Sequence, residues 1–281
     1  MKSDSTHAER PSRAGRDLPA AIGVGVGLVV MVLASLFLVK DVFVLVVVVA
    51  LGIGMAEITR AFKTADIQVP LLPILTGGTA MLVGAFYGTV ETAAVAMALT
   101  VIGTLIWRLS DGADGFVRDS SAGIFVLSYL PLMGVFVMLM LAEDDGEWRI
   151  IAFIVATIAS DIGGYIAGVL WGKHPMAPTI SPKKSWEGFI GSMTVGMGAG
   201  VLTVVYALDG RWWVGLILGA VGVIMATLGD LSESLIKRDI GIKDMGDLLP
   251  GHGGLMDRLD SLIAVAPAAW LVLNYLVPVA K

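Results

Sequence analysis

Residues 212–260 read WWVGLILGAVGVIMATLGDLSESLIKRDIGIKDMGDLLPGHGGLMDRLD, and their first eighteen, 212–229, carry no charge at all. A run of that length is long enough to cross the hydrocarbon core of a bilayer as a helix. Asp230 then ends the run, and a dense set of cations, carboxylates, glycines and a histidine follows. Lys237, Arg238, Lys243 and Arg258 supply point charges and forked donors suited to phosphate oxygens, while Asp230, Glu233, Asp257 and Asp260 are hard oxygen donors of the kind Mg²⁺ takes. The stretch therefore reads as a membrane helix that runs straight into a phosphoryl-transfer site.

The rest of the chain repeats the apolar pattern. Hydrophobic residues make up 56% of the 281 and charged residues only 15%, with a mean hydropathy of +0.84, which excludes an ordinary water-soluble domain. Uncharged runs recur at 20–39, 67–90, 120–142, 188–208, 212–229 and 261–280, and three further spans, 42–58, 92–107 and 150–172, carry charges at an end or inside. The expected fold class is all-α, a polytopic integral membrane protein of about nine transmembrane helices. Of the 19 Lys and Arg residues, fifteen fall on the N-terminal tail and alternate loops, and only Lys40, Arg149, Arg211 and Lys281 fall on the other side. By the positive-inside rule the N-terminus and the 230–260 segment are expected in the cytoplasm.

Residues 1–19 are polar and without periodicity, and are expected to form a mobile cytoplasmic tail ahead of a transmembrane catalytic domain at 20–281, whose motif-bearing half is 150–281. A cleaved signal peptide is the competing reading, disfavoured because the apolar run is long and another span follows at once. With no cysteine, disulfides and thiolate metal sites are excluded.

Asp161 and Asp230 sit where hydrocarbon is expected, at a cost of roughly 2.5 to 3.5 kcal/mol for a mid-membrane Asp. Either each bonds a neighbouring helix as a packing residue, or each lines a metal or polar cavity open to the cytosol. At 100° per residue, Asp230, Glu233, Ser234 and Lys237 fall within about 60° of a common direction, one polar stripe on a continuing helix. Asp257, Asp260 and Ser261 repeat the i, i+3, i+4 spacing, and two such helix ends facing one another offer ligands to Mg²⁺; the plainer reading is a pair of solvated helix caps. Between them Pro250-Gly251-His252-Gly253-Gly254 cannot continue a helix, and its glycines let backbone N–H groups approach a phosphate. His252 is assigned to hydrogen bonding or orientation more than to proton transfer, since a phosphate monoester with a second pKa of about 6 is already largely dianionic at neutral pH.

A second constellation runs Asp161-Ile-Gly-Gly-Tyr165, Gly172-Lys173 and Ser181-Pro182-Lys183-Lys184-Ser185-Trp186-Glu187-Gly188. Taken alone, Lys183-Lys184 is a topogenic pair near lipid head groups. Gly164, Gly168 and Gly172, at four-residue intervals, read as close helix packing.

Both constellations, in this order, resemble the phosphatidate cytidylyltransferases (CDP-diacylglycerol synthases): Ser-Pro-Lys-Lys-x-x-Glu-Gly, then Ser-x-hydrophobic-Lys-Arg, Lys-Asp, and Pro-x-His-Gly-Gly-x-x-Asp-Arg-x-Asp. The resemblance covers roughly 160–261. It implies transfer of the cytidylyl group of CTP to phosphatidate, giving CDP-diacylglycerol and pyrophosphate. It further implies a catalytic set of Asp230, Asp257, Lys237 and His252. Substrate contacts would come from Ser181, Lys183, Lys184, Arg238, Lys243, Gly253, Gly254 and Arg258, and Mg²⁺, with room for a second cation, from Asp230, Asp257 and Asp161. The implied partners are CTP, phosphatidate, membrane lipids and a second copy in a homodimer, with no nucleic acid; the implied location is the cell membrane. A CTP-dependent polyprenol kinase and a transporter are the competing classes, the second disfavoured because the charges gather at one face instead of lining a path across every span.

Overall fold

The computed structural model describes residues 18–246 and 254–278. The expected tail therefore lies almost wholly outside the described residues, as do His252 and Gly253. Ten helices follow one another: α1 (Leu18–Leu38), α2 (Lys40–Lys63), α3 (Leu71–Tyr87), α4 (Val90–Leu109), α5 (Phe116–Tyr129), α6 (Pro131–Ala142), α7 (Gly146–Trp171), α8 (Trp186–Ala207), α9 (Trp212–Asp239) and α10 (Met256–Leu276). Between α7 and α8 the chain makes a short antiparallel hairpin, β1 (Pro175–Ala177) with β2 (Ser181–Ser185). By sequence this stretch reads only as a connecting segment.

Among the described residues seven helical stretches are long and apolar enough to cross a membrane, one of them Phe116–Ala142, which joins α5 and α6. Pro131 starts α6 at the position where a missing N–H costs nothing. The two other expected spans correspond to the apolar stretch Gly25–Leu38 within α1 and to α3, Leu71–Tyr87. The chain is thus a helical, multi-pass membrane protein, with seven candidate crossings by length and composition among its described residues beside the nine expected from the sequence.

Polar contacts concentrate at two opposite ends of the bundle. At one, Lys40 pairs with Glu147 at 3.2 Å. Nearby, the buried Arg149 bonds Asp145 at 2.5 Å and donates to the Leu273 carbonyl at 2.8 Å, closing the last turn of α10. At the other, buried Arg108 meets Asp119 at 2.9 Å, and Asp119 accepts the Gln68 N–H at 3.0 Å, which ties the α2–α3 and α4–α5 connections together.

Small residues set the packing beside the site. A Cβ on Gly163 would lie 2.6 Å from the Gly191 carbonyl oxygen, and one on Gly219 2.5 Å from that of Gly196, so α7, α8 and α9 approach backbone to backbone. The Ser192 hydroxyl donates to the Ser160 carbonyl at 2.8 Å, reinforcing the α7–α8 contact. α9 ends where Gly241 takes φ of 73°. The Ile242 N–H reaches the Lys237 carbonyl at 2.9 Å and the Gly241 N–H that of Arg238 at 3.3 Å, a left-handed cap that turns the chain away directly after the two cations.

Candidate functional site

At the end of the bundle that holds the hairpin, α7, β2, α8, α9 and α10 enclose an open cavity of about 310 Å³. Asp161, Gly164 and Gly168 come from α7, Lys183 and Lys184 from β2, Asp230 from α9 and Ser261 from α10. Gly164 and Gly168 line the cavity without side chains: at Gly168 a Cβ would sit 3.7 Å from the Ser185 hydroxyl. By spacing alone Gly164, Gly168 and Gly172 read as packing residues; in the fold Gly164 and Gly168 also line the cavity, and Gly172 does not.

The hairpin is fastened to its two helices by side chains of the same motif. Ser185 caps α8, accepting the Gly188 N–H at 3.1 Å. Glu187 reaches back to the His174 ring at 2.5 Å and accepts the Lys173 N–H at 3.2 Å. The turn from α7 into β1 is thereby clipped to the start of α8, and β2 delivers Lys183 and Lys184 to the cavity. Lys184 makes an ion pair with Asp230 across it, while Lys183 is exposed on the wall. Ser181, half-buried at the start of β2, does not line the cavity.

One helical turn beyond Asp230, the stripe on α9 continues into a second cluster. Lys237 lies 3.0 Å from Glu233 and 2.8 Å from Asp257. The other oxygen of Asp257 accepts the N–H groups of Met245 at 3.0 Å and Gly254 at 3.1 Å, which binds both ends of the loop after α9 to the first turn of α10. Glu233 is wholly buried, and its second oxygen has no partner among the described residues. The stripe expected from helical spacing is real, but its members face different neighbours: Asp230 turns to Lys184, and Lys237 to Asp257 of α10.

The three expected metal ligands are divided accordingly. Asp161 and Asp230 share the cavity; Asp257 does not line it. Among the described residues no group of three or more His, Asp and Glu side chains is gathered as an ion cage. Arg238 and Lys243 are exposed around the end of α9, and Arg258 is exposed on the first turn of α10. Asp260 accepts the Ser261 N–H at 2.6 Å.

Glu57 was missed. It lies near the end of α2, 4% exposed, and accepts the backbone N–H groups of Leu255 at 3.1 Å and Met256 at 2.8 Å. A carboxylate close to the end of the apolar run 42–58 was the available signal, of the same kind that singled out Asp161 and Asp230.

The arrangement can hold phosphates against lysines and carboxylates at one end of a membrane bundle. Beside the cavity, α7 exposes Ile162, Tyr165, Ile166 and Val169, and Trp171 and Trp186 flank the hairpin, the aromatic placement typical of the membrane–water boundary. Polar and apolar parts of one substrate thus find adjoining surfaces.

Comparison with known proteins agrees with this chemistry. The cytidylyltransferase family matches residues 19–276. A phosphatidate cytidylyltransferase of Mycobacterium bovis is 43% identical over 283 residues, covering 96% of this chain and 92% of that protein. That of Mycobacterium leprae is 42% identical over 94% of this chain and 90% of its own, and one from Helicobacter pylori is 31% identical over 80% and 79%. With the motifs, the membrane bundle and the lysine–carboxylate cavity in agreement with matches that span nearly its whole length, the chain belongs to the phosphatidate cytidylyltransferase family.

Proposed function

We propose that the chain catalyses attack of a phosphatidate phosphate oxygen on the α-phosphorus of CTP. A new P–O bond joins lipid phosphate to cytidylyl, the bond to the β-phosphate breaks, and pyrophosphate leaves carrying the electron pair. The observation that carries this reading is the cavity in which Lys183, Lys184, Asp161 and Asp230 converge beside an apolar helix face. Lysines Lys183 and Lys184 offset the repulsion between lipid phosphate and triphosphate, and fixed cations of this sort are where phosphoryl-transfer enzymes find most of their acceleration. The Asp230–Lys184 pair holds the hairpin to α9 and orients the lysine into the cavity. Lys237, held by Glu233 and Asp257, keeps a second positive charge about two helical turns along α9 from Asp230, and Arg238, Lys243 and Arg258 supply cations around the segment that leads to Gly254.

Mg²⁺ belongs to this proposal. It usually takes one or two carboxylates together with substrate phosphates and water, so Asp161 and Asp230 fit a metal that arrives with CTP better than a preformed cage. When bound it would neutralise developing charge on the phosphates. Asp257, already occupied by Lys237 and two N–H groups, fits a supporting role at the loop in this state.

In the same reading the bundle occupies the cell membrane with the N-terminus and the cavity facing the cytoplasm, because fifteen of the 19 Lys and Arg residues fall on that side. Phosphatidate keeps its acyl chains in lipid along α7 while CTP arrives from water. Catalysis resides in residues 20–281, and dimeric assembly enters from the family resemblance alone. The test is purified protein in liposomes with Mg²⁺, phosphatidate and CTP labelled at the α-phosphorus. Label should appear in CDP-diacylglycerol, with release of pyrophosphate; no labelled lipid refutes the reaction, and lipid labelled only from γ-labelled CTP points to a kinase.

A further inference from the structure

Glu57 stands 198 positions before Leu255 and belongs to none of the motifs, yet its two oxygens grip consecutive N–H groups at the start of α10. Those N–H groups have no partner within their own helix, and a carboxylate there is favoured by the helix dipole. The neighbouring backbone is shaped to admit it. A Cβ on Gly246 would lie 2.5 Å from one Glu57 oxygen, and a Cβ on Gly254 would lie 3.0 Å from the other. Gly246 and Gly254 bound the loop on either side, and Gly254 and Met245 are also the residues whose N–H groups reach Asp257. One buried carboxylate from α2 therefore fixes the turn that orients Asp257, and through it Lys237.

We propose that Glu57 is a positioning residue for the reaction above: it anchors the first turn of α10 to α2 and so sets where Asp257 and Lys237 stand. The role rests on that reaction, but its structural half can be measured without it. A displacement of about 1 Å at a group that positions reacting phosphates is enough to cost around 100-fold in rate, so the loss belongs in kcat and not in affinity.

Two variants test this. Glu57→Gln keeps the size of the side chain and removes its charge; Gly246→Ala leaves Glu57 in place and pushes its carboxylate. In full-length protein in detergent, amide exchange at Leu255 and Met256 should rise at least tenfold in both, with the middle of α10 unchanged. In liposomes, kcat per folded protein should fall at least tenfold while both KM values stay within threefold. A residue that only stabilises the fold would lower thermal stability and leave kcat per folded molecule near normal. Unchanged exchange, normal kcat, or a loss carried by KM would overturn the proposal. If the unaltered protein made no CDP-diacylglycerol, the proposed reaction would fall, and the exchange measurement would still decide whether Glu57 holds the turn.

Discussion

Replacing Lys237 with methionine keeps the length and apolar stem of the side chain and deletes one charge from between two carboxylates. Glu233, fully buried, and Asp257, with 10% of its side chain exposed, would then face each other without a cation. Removing one member of a buried ion pair costs roughly 3 to 5 kcal/mol. Lys237 retains 18% exposure, so the lower end applies, about 3 kcal/mol, equivalent to a fall in melting temperature of roughly 6 to 12 °C. The double variant Glu233→Leu with Lys237→Met also removes the buried Glu233 carboxyl and leaves Asp257 in place, and apolar replacement of a buried pair is often close to neutral. It should recover most of the stability, because Asp257 keeps its N–H donors from Met245 and Gly254, yet it should not recover activity. Thermal unfolding in detergent, followed together with CDP-diacylglycerol synthesis, is the assay. A Lys237→Met protein that melts within about 1 °C of the parent would show that the pair carries no such energy; a double variant with full activity would remove Lys237 from the chemistry.

Asp230→Asn keeps the size of the side chain but gives up the charge facing Lys184; turnover should fall at least 100-fold with the protein still recoverable from membranes, and near-normal turnover would take Asp230 out of the site. Gly191→Val should unseat α7 from α8, because a Cβ on Gly191 lies 2.6 Å from the Gly163 carbonyl, at a cost of about 3 kcal/mol or more, seen as loss of the folded protein on heating in detergent; an unchanged melting temperature would contradict backbone contact there. Single cysteines at Ser185, Asp244 and Asp144 of this cysteine-free chain test sidedness: the first two should react with impermeant thiol reagents from the cytoplasmic side only, the exposed Asp144 position from outside, and the reverse pattern would invert the topology.

The sequence alone determined the membrane class, since runs of uncharged residues at spanning length have no other economical fold. It also determined that α9 carries a polar stripe, because 3.6 residues per turn places Asp230, Glu233 and Lys237 on one face whatever surrounds them. It identified the motifs and thereby the family. What it left open was which partner each charge meets. Pairing across helices depends on rotation, depth and the closeness of packing, and none of these is encoded in local spacing. Tertiary structure therefore decided that Lys184 crosses the cavity to Asp230, that Lys237 is held between Glu233 and Asp257, and that Asp257 lies outside the cavity shared by Asp161 and Asp230. It decided the hairpin too, whose strands are too short to leave a periodic signal and are closed by Glu187 and His174. Glu57 shows the limit most plainly: one carboxylate at the end of an apolar run gains its meaning only when α2 is folded against a turn 198 residues further on.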